Sequence, residues 1–467
     1  MRFASVFPSV LQLIGRTPLV ELSGFDTGPC RLFAKLESQN PSGSIKDRVA
    51  LSIISAAEQS GQLRAGGTIV EATAGNTGLG LAQVAALRRY RLILAIPDKM
   101  SKEKIRHLRA LGADVRLTRS DVDKNHPEHY QNLARRIAEE TPDAFFADQF
   151  SNAANPRAHE TATGPEIWEQ TGHKIDAVVV GVGSGGTLTG LGRYFRSVAP
   201  QAQIILADPE GSVLAPFIAT GQLAQAGQWS VEGIGQDYIP DNADLSLVSR
   251  AYTISDRQSV QAARDLLLRE GILAGASSGT LLAAALQYCR EQTEPKNVVT
   301  LICDSGSKYL SKMFDDNWLR ERHLSERAVQ GNLEDLISRR HQDGAVEVTA
   351  PDENLLEAYG RMRRNAVSQI PVLDGGRLVG IIDESDILKA VEGPPEGRWS
   401  RFAAQVSSAM TPQPRVLQVD APLSALQSFF DRDEVALIVN GADFIGLITR
   451  IDLINHLRYA GKNTRDA

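Results

Sequence analysis

A lysine amine attacks an aldehyde, forming a Schiff base, once partial desolvation lowers its pKa and leaves it with a free lone pair. Lys46 stands in the segment Pro41-Ser42-Gly43-Ser44-Ile45-Lys46-Asp47-Arg48. Alone, the segment also suits a helix start in which Ser44 caps and Asp47 and Arg48 face water. Its company changes that reading, because three glycine-bearing turns follow that together suit a phosphorylated aldehyde cofactor and a carboxylate-bearing substrate.

The run from Asp176 to Val182 is apolar and opens into Gly183-Ser184-Gly185-Gly186-Thr187 before a helical pattern. This predicts strand, phosphate loop and helix. Glycines let backbone N–H groups close around phosphate oxygens, the helix N-terminus adds partial positive charge, and Ser184 and Thr187 add hydroxyls. No Walker lysine follows, and the dinucleotide fingerprint with its acid about 20 positions on is not met. A second turn, Thr73-Ala74-Gly75-Asn76-Thr77-Gly78, follows the strand-like Gly67 to Glu71. Its N–H groups and the Thr73, Asn76 and Thr77 side chains suit a carboxylate, although Thr and Asn at a helix start also serve as caps. In the third turn, Gly275 to Thr280, Ser277 suits a ring nitrogen or an ordinary N-cap. Amine, phosphate cradle, carboxylate loop and ring partner together point to pyridoxal 5'-phosphate.

The four segments, in this order over roughly residues 8 to 320, resemble the fold-type II pyridoxal phosphate enzymes, specifically the cysteine synthase and cystathionine β-synthase family. The resemblance implies that Lys46 carries the cofactor and is the catalytic base and acid at the substrate Cα. It places the phosphate on Gly183, Ser184, Gly185, Gly186 and Thr187, Asn76 on the ring hydroxyl and Ser277 on the pyridine nitrogen. Thr73, Ala74, Asn76, Thr77 and Gln149 are placed at the substrate. A neutral serine hydroxyl does not force protonation of the ring nitrogen, so the cofactor is a mild electron sink and prompt β-elimination is favoured.

The expected reaction is therefore β-replacement, condensing L-serine with L-homocysteine to L-cystathionine in transsulfuration, with hydrogen sulfide production as a related outcome. Asp208 to Ser212 and Val231 to Pro240 lean toward the cystathionine β-synthase branch, and Glu232 or Asp237 could meet an amino-acid thiol. Ala74, Phe150 and Gln236 depart from the family pattern, which keeps open a cysteine synthase using O-acetylserine and sulfide. A sensor-only protein that binds an adenosine ligand is the alternative from a different class.

Strand-like runs at Arg91 to Pro97, Ala177 to Val180, Ile204 to Ala207 and Val298 to Ile302 alternate with helical stretches. They predict an α/β fold with open, mostly parallel sheets and the site at the loops after the strands. The 467 residues exceed one compact core. The expected domains are a catalytic domain over 1–323, a linker over 324–334, a regulatory module over 335–460 and a tail over 461–467.

The apolar fraction of 42% and net charge of −6 give no electrostatic reason to expect nucleic acid or a membrane surface as a partner. Residues 1 to 8 read as the start of the catalytic domain and not as a signal peptide. Cys30, Cys289 and Cys303 are too far apart in sequence to form a metal or redox motif and suit a reducing cytoplasm. Neither heme nor a metal is expected.

Beyond the linker, Gly380 to Leu388 is echoed by Gly446 to Ile454, and Ala350-Pro351 by Ala421-Pro422. The repeat resembles a pair of CBS motifs, an α+β regulatory module for adenosine-containing ligands such as S-adenosylmethionine or a nucleotide. Thr449 and Asp452 then become ligand candidates, with helix capping as the competing role, while Asp383 would repel a phosphate in the first copy. The resemblance also implies a homodimer.

Overall fold

The computed structural model describes residues 6–460 except 74, 99, 101, 120, 123–125, 323, 325–331 and 338. Its contacts divide the chain into two units, 1–314 and 315–467.

The first unit holds two sheets. One has the strand order Leu19–Glu21, Arg31–Lys35, Asn297–Leu301, Ala177–Val180, Gln203–Pro209, Arg250–Ile254, all parallel except the first. The other orders Asp114–Thr118, Arg91–Pro97, Thr68–Ala72 and Ala144–Phe146, all parallel. The central strands are continuous apolar runs because helices cover both faces: Ala177–Val180 is buried at every position.

Parallel strands deliver their following loops to one end of a sheet, and the loops that matter leave from there. Thr68–Ala72 leads to the helix Asn76–Arg88, Ala177–Val180 to the helix Gly186–Val198, and Asn297–Leu301 to Cys303 and Asp304. The lysine segment is drawn to the same place by a bridge between Ser44 and Asp304, and the segment before Ser277 by one between Ala274 and Ser305. The helix Lys46–Ser60 buries Val49, Ile53 and Ile54 completely against Leu79 and Leu81 of the neighbouring helix. Each such side chain contributes about 1.5 to 3 kcal/mol on leaving water. Close approach depends on Gly80, where a Cβ would lie 2.9 Å from the Lys46 carbonyl oxygen.

In the second unit the repeat is a repeat of structure. The hairpin Gln369–Asp374 with Arg377–Asp383 leads into the helix Glu384–Val391, and Ala436–Asn440 with Asp443–Ile448 leads into Arg450–Ala460. Both hairpins shift register at the equivalent place, between Val372 and Leu373 and between Ile438 and Val439. The short helix Asp316–Glu321 groups with this unit.

Candidate active site

Lys46 begins its helix, and its backbone N–H meets the Ser44 hydroxyl at 3.3 Å. Burial holds its amine below the usual lysine range, against the opposing pull of Cys303 and Asp304. An amine held in this way keeps the free lone pair that Schiff-base formation needs. Asp47 and Arg48 are not in water: they are 0% and 4% exposed. Asp47 accepts from the Ser42 N–H at 2.7 Å, bending the chain back before the lysine. Arg48 binds Glu37 and Glu166 at 2.7 Å each, and Lys35 reaches Glu166 at 2.7 Å. Lys35, Glu37, Arg48 and Glu166 are thus held by one another where an unpaired charge would be prohibitive.

In the loop Gly183 to Thr187, Gly185 takes φ of 86°, a left-handed conformation that favours glycine. The loop is packed from behind: a Cβ would lie 2.2 Å from the Gly233 carbonyl oxygen at Gly183, 2.5 Å from the Ala243 nitrogen at Gly185 and 1.9 Å from Asn155 Oδ1 at Gly186. Only backbone fits. The first N–H groups of the helix Gly186–Val198 lack intrahelical acceptors by construction and are available to an anion. Ser184 accepts from Asn155 Nδ2 at 2.8 Å, and Gln236 donates to the Gly183 carbonyl at 2.6 Å, so the departure at 236 supports the loop from the side.

Asn76, Thr77 and Gln149 come together. Thr77 donates to Gln149 Oε1 at 2.6 Å, and Gln149 Nε2 donates to the Ala72 carbonyl at 3.2 Å. The Gln149 carbonyl accepts from Asn155 Nδ2 at 2.7 Å, so one residue ties the carboxylate loop to the phosphate loop. Its N–H donates to Glu71 Oε2 at 3.1 Å; Glu71 is fully buried, and burial pushes its carboxyl up to about 8. Thr73 is buried and accepts from the Gly75 N–H at 3.0 Å. Ala74 lies outside the described residues. Phe150 packs near the Tyr238 ring, with centroids 6.5 Å apart.

Ser277 is not the N-cap of its helix, a place taken by Gly275; it is buried inside the first turn, and the next residue, Ser278, accepts from the Cys303 N–H at 2.9 Å. Burial pushes the Cys303 thiol up to about 12.

Sequence reasoning missed Asp304. Its Oδ2 accepts from Asn76 Nδ2 at 2.7 Å and from the Tyr309 hydroxyl at 2.6 Å. Lys308 donates to Asn76 Oδ1 at 2.9 Å, so both ends of the Asn76 amide are held. Burial lowers the Lys308 amine to about 8, Lys104 adding to the fall and Asp304 opposing it. Lys104 donates to Tyr309 at 2.9 Å and to Glu232 at 2.8 Å, and Lys312 reaches Glu232 at 2.5 Å. Glu232 therefore belongs to the site's charge network, whereas Asp237 is exposed. A cleft of about 480 Å³ opens beside Gly43, Lys104 and Lys308. The available signal was position: Cys303 to Tyr309 directly follows a parallel strand.

These features fit pyridoxal phosphate: a buried amine of lowered pKa, a cradle that excludes side chains, and an oriented amide and hydroxyl between them. Among the described residues, no group of three His, Cys, Asp or Glu side chains could hold a metal ion.

In the second unit Thr449 and Asp452 hold each other. Asp452 Oδ2 accepts from the Thr449 N–H at 2.7 Å and from its hydroxyl at 2.6 Å, while Thr449 Oγ1 caps the helix Arg450–Ala460 by accepting from the Asp452 N–H at 3.4 Å. Asp383 and Asp386 form a reciprocal capping box at the equivalent point of the first copy.

The fold and site define a pyridoxal phosphate enzyme carrying a CBS pair. The family model for pyridoxal-phosphate dependent enzymes matches residues 10–304, and the CBS domain model matches 344–393 and 406–459. Cystathionine β-synthase of Apis mellifera is 33% identical, covering 98% of this chain and 92% of that protein. Cysteine synthase 1 of Neurospora crassa is 42% identical, covering 67% of this chain and 84% of its own length. A crystal structure of a hydrogen sulfide-producing enzyme from Fusobacterium nucleatum matches with TM-score 0.61 at 34% identity, covering 65% of this chain and all of that one. The chain belongs to the cystathionine β-synthase family of pyridoxal-phosphate dependent enzymes, and pyridoxal 5'-phosphate is its cofactor.

Proposed function

We propose that the chain catalyses β-replacement, condensing L-serine with L-homocysteine to L-cystathionine and releasing water. The observation that carries this reading is coverage: cystathionine β-synthases match catalytic unit and CBS pair together along nearly the whole chain, whereas the more identical cysteine synthase covers 67% of it. With cysteine in place of serine, the same exchange releases hydrogen sulfide.

When bound, pyridoxal phosphate supplies an electron sink beside the substrate Cα, so that the Cα proton can be removed and the β-hydroxyl can leave. Lys46 takes that proton and returns it once the thiol has added; its lowered pKa suits it to the first role at neutral pH. Thr73, Ala74, Thr77, Gln149 and Asn76 hold the substrate carboxylate. Asn76, its amide held by Asp304 and Lys308, would bind the ring hydroxyl. Gly183, Ser184, Gly185, Gly186 and Thr187 would bind the phosphate, and Ser277 would meet the ring nitrogen.

The deciding experiment compares products of the cofactor-loaded protein from serine with homocysteine and from O-acetylserine with sulfide. Dominant cystathionine supports the reading. Dominant cysteine would replace it with the second reading, which the 42% identity to a cysteine synthase favours.

For residues 335–460 we propose a regulatory module binding an adenosine-containing ligand, S-adenosylmethionine or a nucleotide, at Thr449 and Asp452, joined to the catalytic domain, 1–323, through 324–334. The molecule is proposed to be a cytoplasmic homodimer. Free thiols at Cys30 and Cys289, buried in the same unit, suit a reducing compartment. Among the described residues no helix is long and apolar enough to cross a membrane.

A further inference from the structure

Behind the phosphate loop lies a histidine that the reaction scheme leaves without a role. His159 is 0% exposed and begins a π-helical turn, His159–Thr163, set between the helices Ala154–Ala158 and Gly164–Gln170. Such turns are rare and concentrate at functional sites. Gly190 lets the helix of the loop pass close to it, since a Cβ there would lie 2.7 Å from His159 Cβ. Each ring nitrogen faces a hydroxyl: Nε2 lies 3.2 Å from Thr187 Oγ1, and Nδ1 lies 3.0 Å from Thr163 Oγ1.

Burial, with the charges of Lys46 and Arg48 nearby, holds the ring far below its usual pKa, so it is neutral and carries one N–H. Two arrangements follow. If Nδ1 carries the proton, Nε2 is an acceptor, and Thr187 turns its hydroxyl proton inward to the ring, presenting lone pairs at the helix start. If Nε2 carries the proton, Thr163 donates to Nδ1, Nε2 donates to Thr187, and the Thr187 proton is free to point outward. An anion at this helix start requires the second arrangement, because lone pairs facing phosphate oxygens repel them.

We propose that His159 is a positioning residue that, as the Nε2–H tautomer whose Nδ1 accepts from Thr163, turns the Thr187 hydroxyl proton toward the cofactor's phosphate. The inference rests on reading Gly183 to Thr187 as the phosphate loop. The relay runs Thr163 to His159 to Thr187, and Thr187 alone touches the ligand.

The test compares affinities of the full chain, freed of cofactor, for pyridoxal 5'-phosphate and for pyridoxal, which lacks the phosphate, by fluorescence titration. Variants are Thr187→Ala, His159→Phe and Thr163→Val, the last preserving side-chain volume if the histidine variant fails to fold. Thr187→Ala and His159→Phe are expected to lower the preference for the phosphorylated form roughly tenfold, and Thr163→Val to lower it in the same sense, with pyridoxal affinity unchanged. A normal preference in Thr187→Ala would overturn the loop reading itself. A lowered preference in Thr187→Ala with a normal one in Thr163→Val and His159→Phe would overturn only the role of His159, as would equal losses for both ligands.

Discussion

Asn76 and Asp304, 228 residues apart in the chain, are joined by a hydrogen bond of 2.7 Å from Nδ2 to Oδ2. The bond ties the carboxylate loop of the small sheet to the loop that follows Asn297–Leu301 of the large sheet. Asp304→Ala would strand Asn76 Nδ2 and the Tyr309 hydroxyl. Losing a buried charged acceptor costs about 1.5 to 3 kcal/mol. Cofactor affinity, read by equilibrium titration, should fall roughly ten- to hundredfold, with the protein still folded by circular dichroism.

Lys46→Ala removes the nucleophile and the Cα base together. Turnover should fall by at least ~10²-fold, and borohydride treatment should leave no cofactor covalently attached by mass spectrometry. A labelled, active variant would move the site elsewhere.

Gly186→Ala places a Cβ at 1.9 Å from Asn155 Oδ1, an atom that is buried and has no hydrogen-bond partner among the described residues. The loop or Asn155 must move, and Asn155 also holds Ser184 and the Gln149 carbonyl. Cofactor retention on gel filtration should be lost while unrelated parts of the fold persist.

Glu71 offers a pH signature. Its carboxyl is pushed up to about 8 by burial, with Asp148 adding to the shift, from an ordinary value of 4.5. Between those values the folded chain holds a proton the unfolded chain has released. Stability therefore falls as pH rises through that window, by up to about 1.4 kcal/mol per pH unit from this group. In Glu71→Gln, denaturant midpoints measured from pH 5 to 8 should lose this slope, whatever the absolute stability.

Asp452→Ala removes the acceptor that holds both the Thr449 N–H and its hydroxyl. The loss of such a hydrogen bond costs about 1 kcal/mol. If this end of the helix binds an adenosine ligand, calorimetric titration with S-adenosylmethionine should show weaker binding in the variant; unchanged binding would confine Asp452 to capping.

The sequence alone determined which segments hold residue types suited to this chemistry. Lys46, the glycines of 183 to 186, Asn76 and the two-copy pattern at Gly380 and Gly446 are legible because glycine-bearing turns and apolar runs are local signals. The parallel strands were legible for the same reason: runs such as Ala177–Val180 are apolar at every position. What depends on residues far apart in the chain was not. Asp47 and Arg48 resemble a solvated helix start until Glu37 and Glu166 arrive to neutralise Arg48. Asp304, Lys308 and His159 are ordinary polar residues by type and spacing, and only the folding of two sheets to a common end places them around Asn76 and Thr187. Burial then decides their protonation: pKa values depend on surrounding dielectric and charge, which one-dimensional order does not contain.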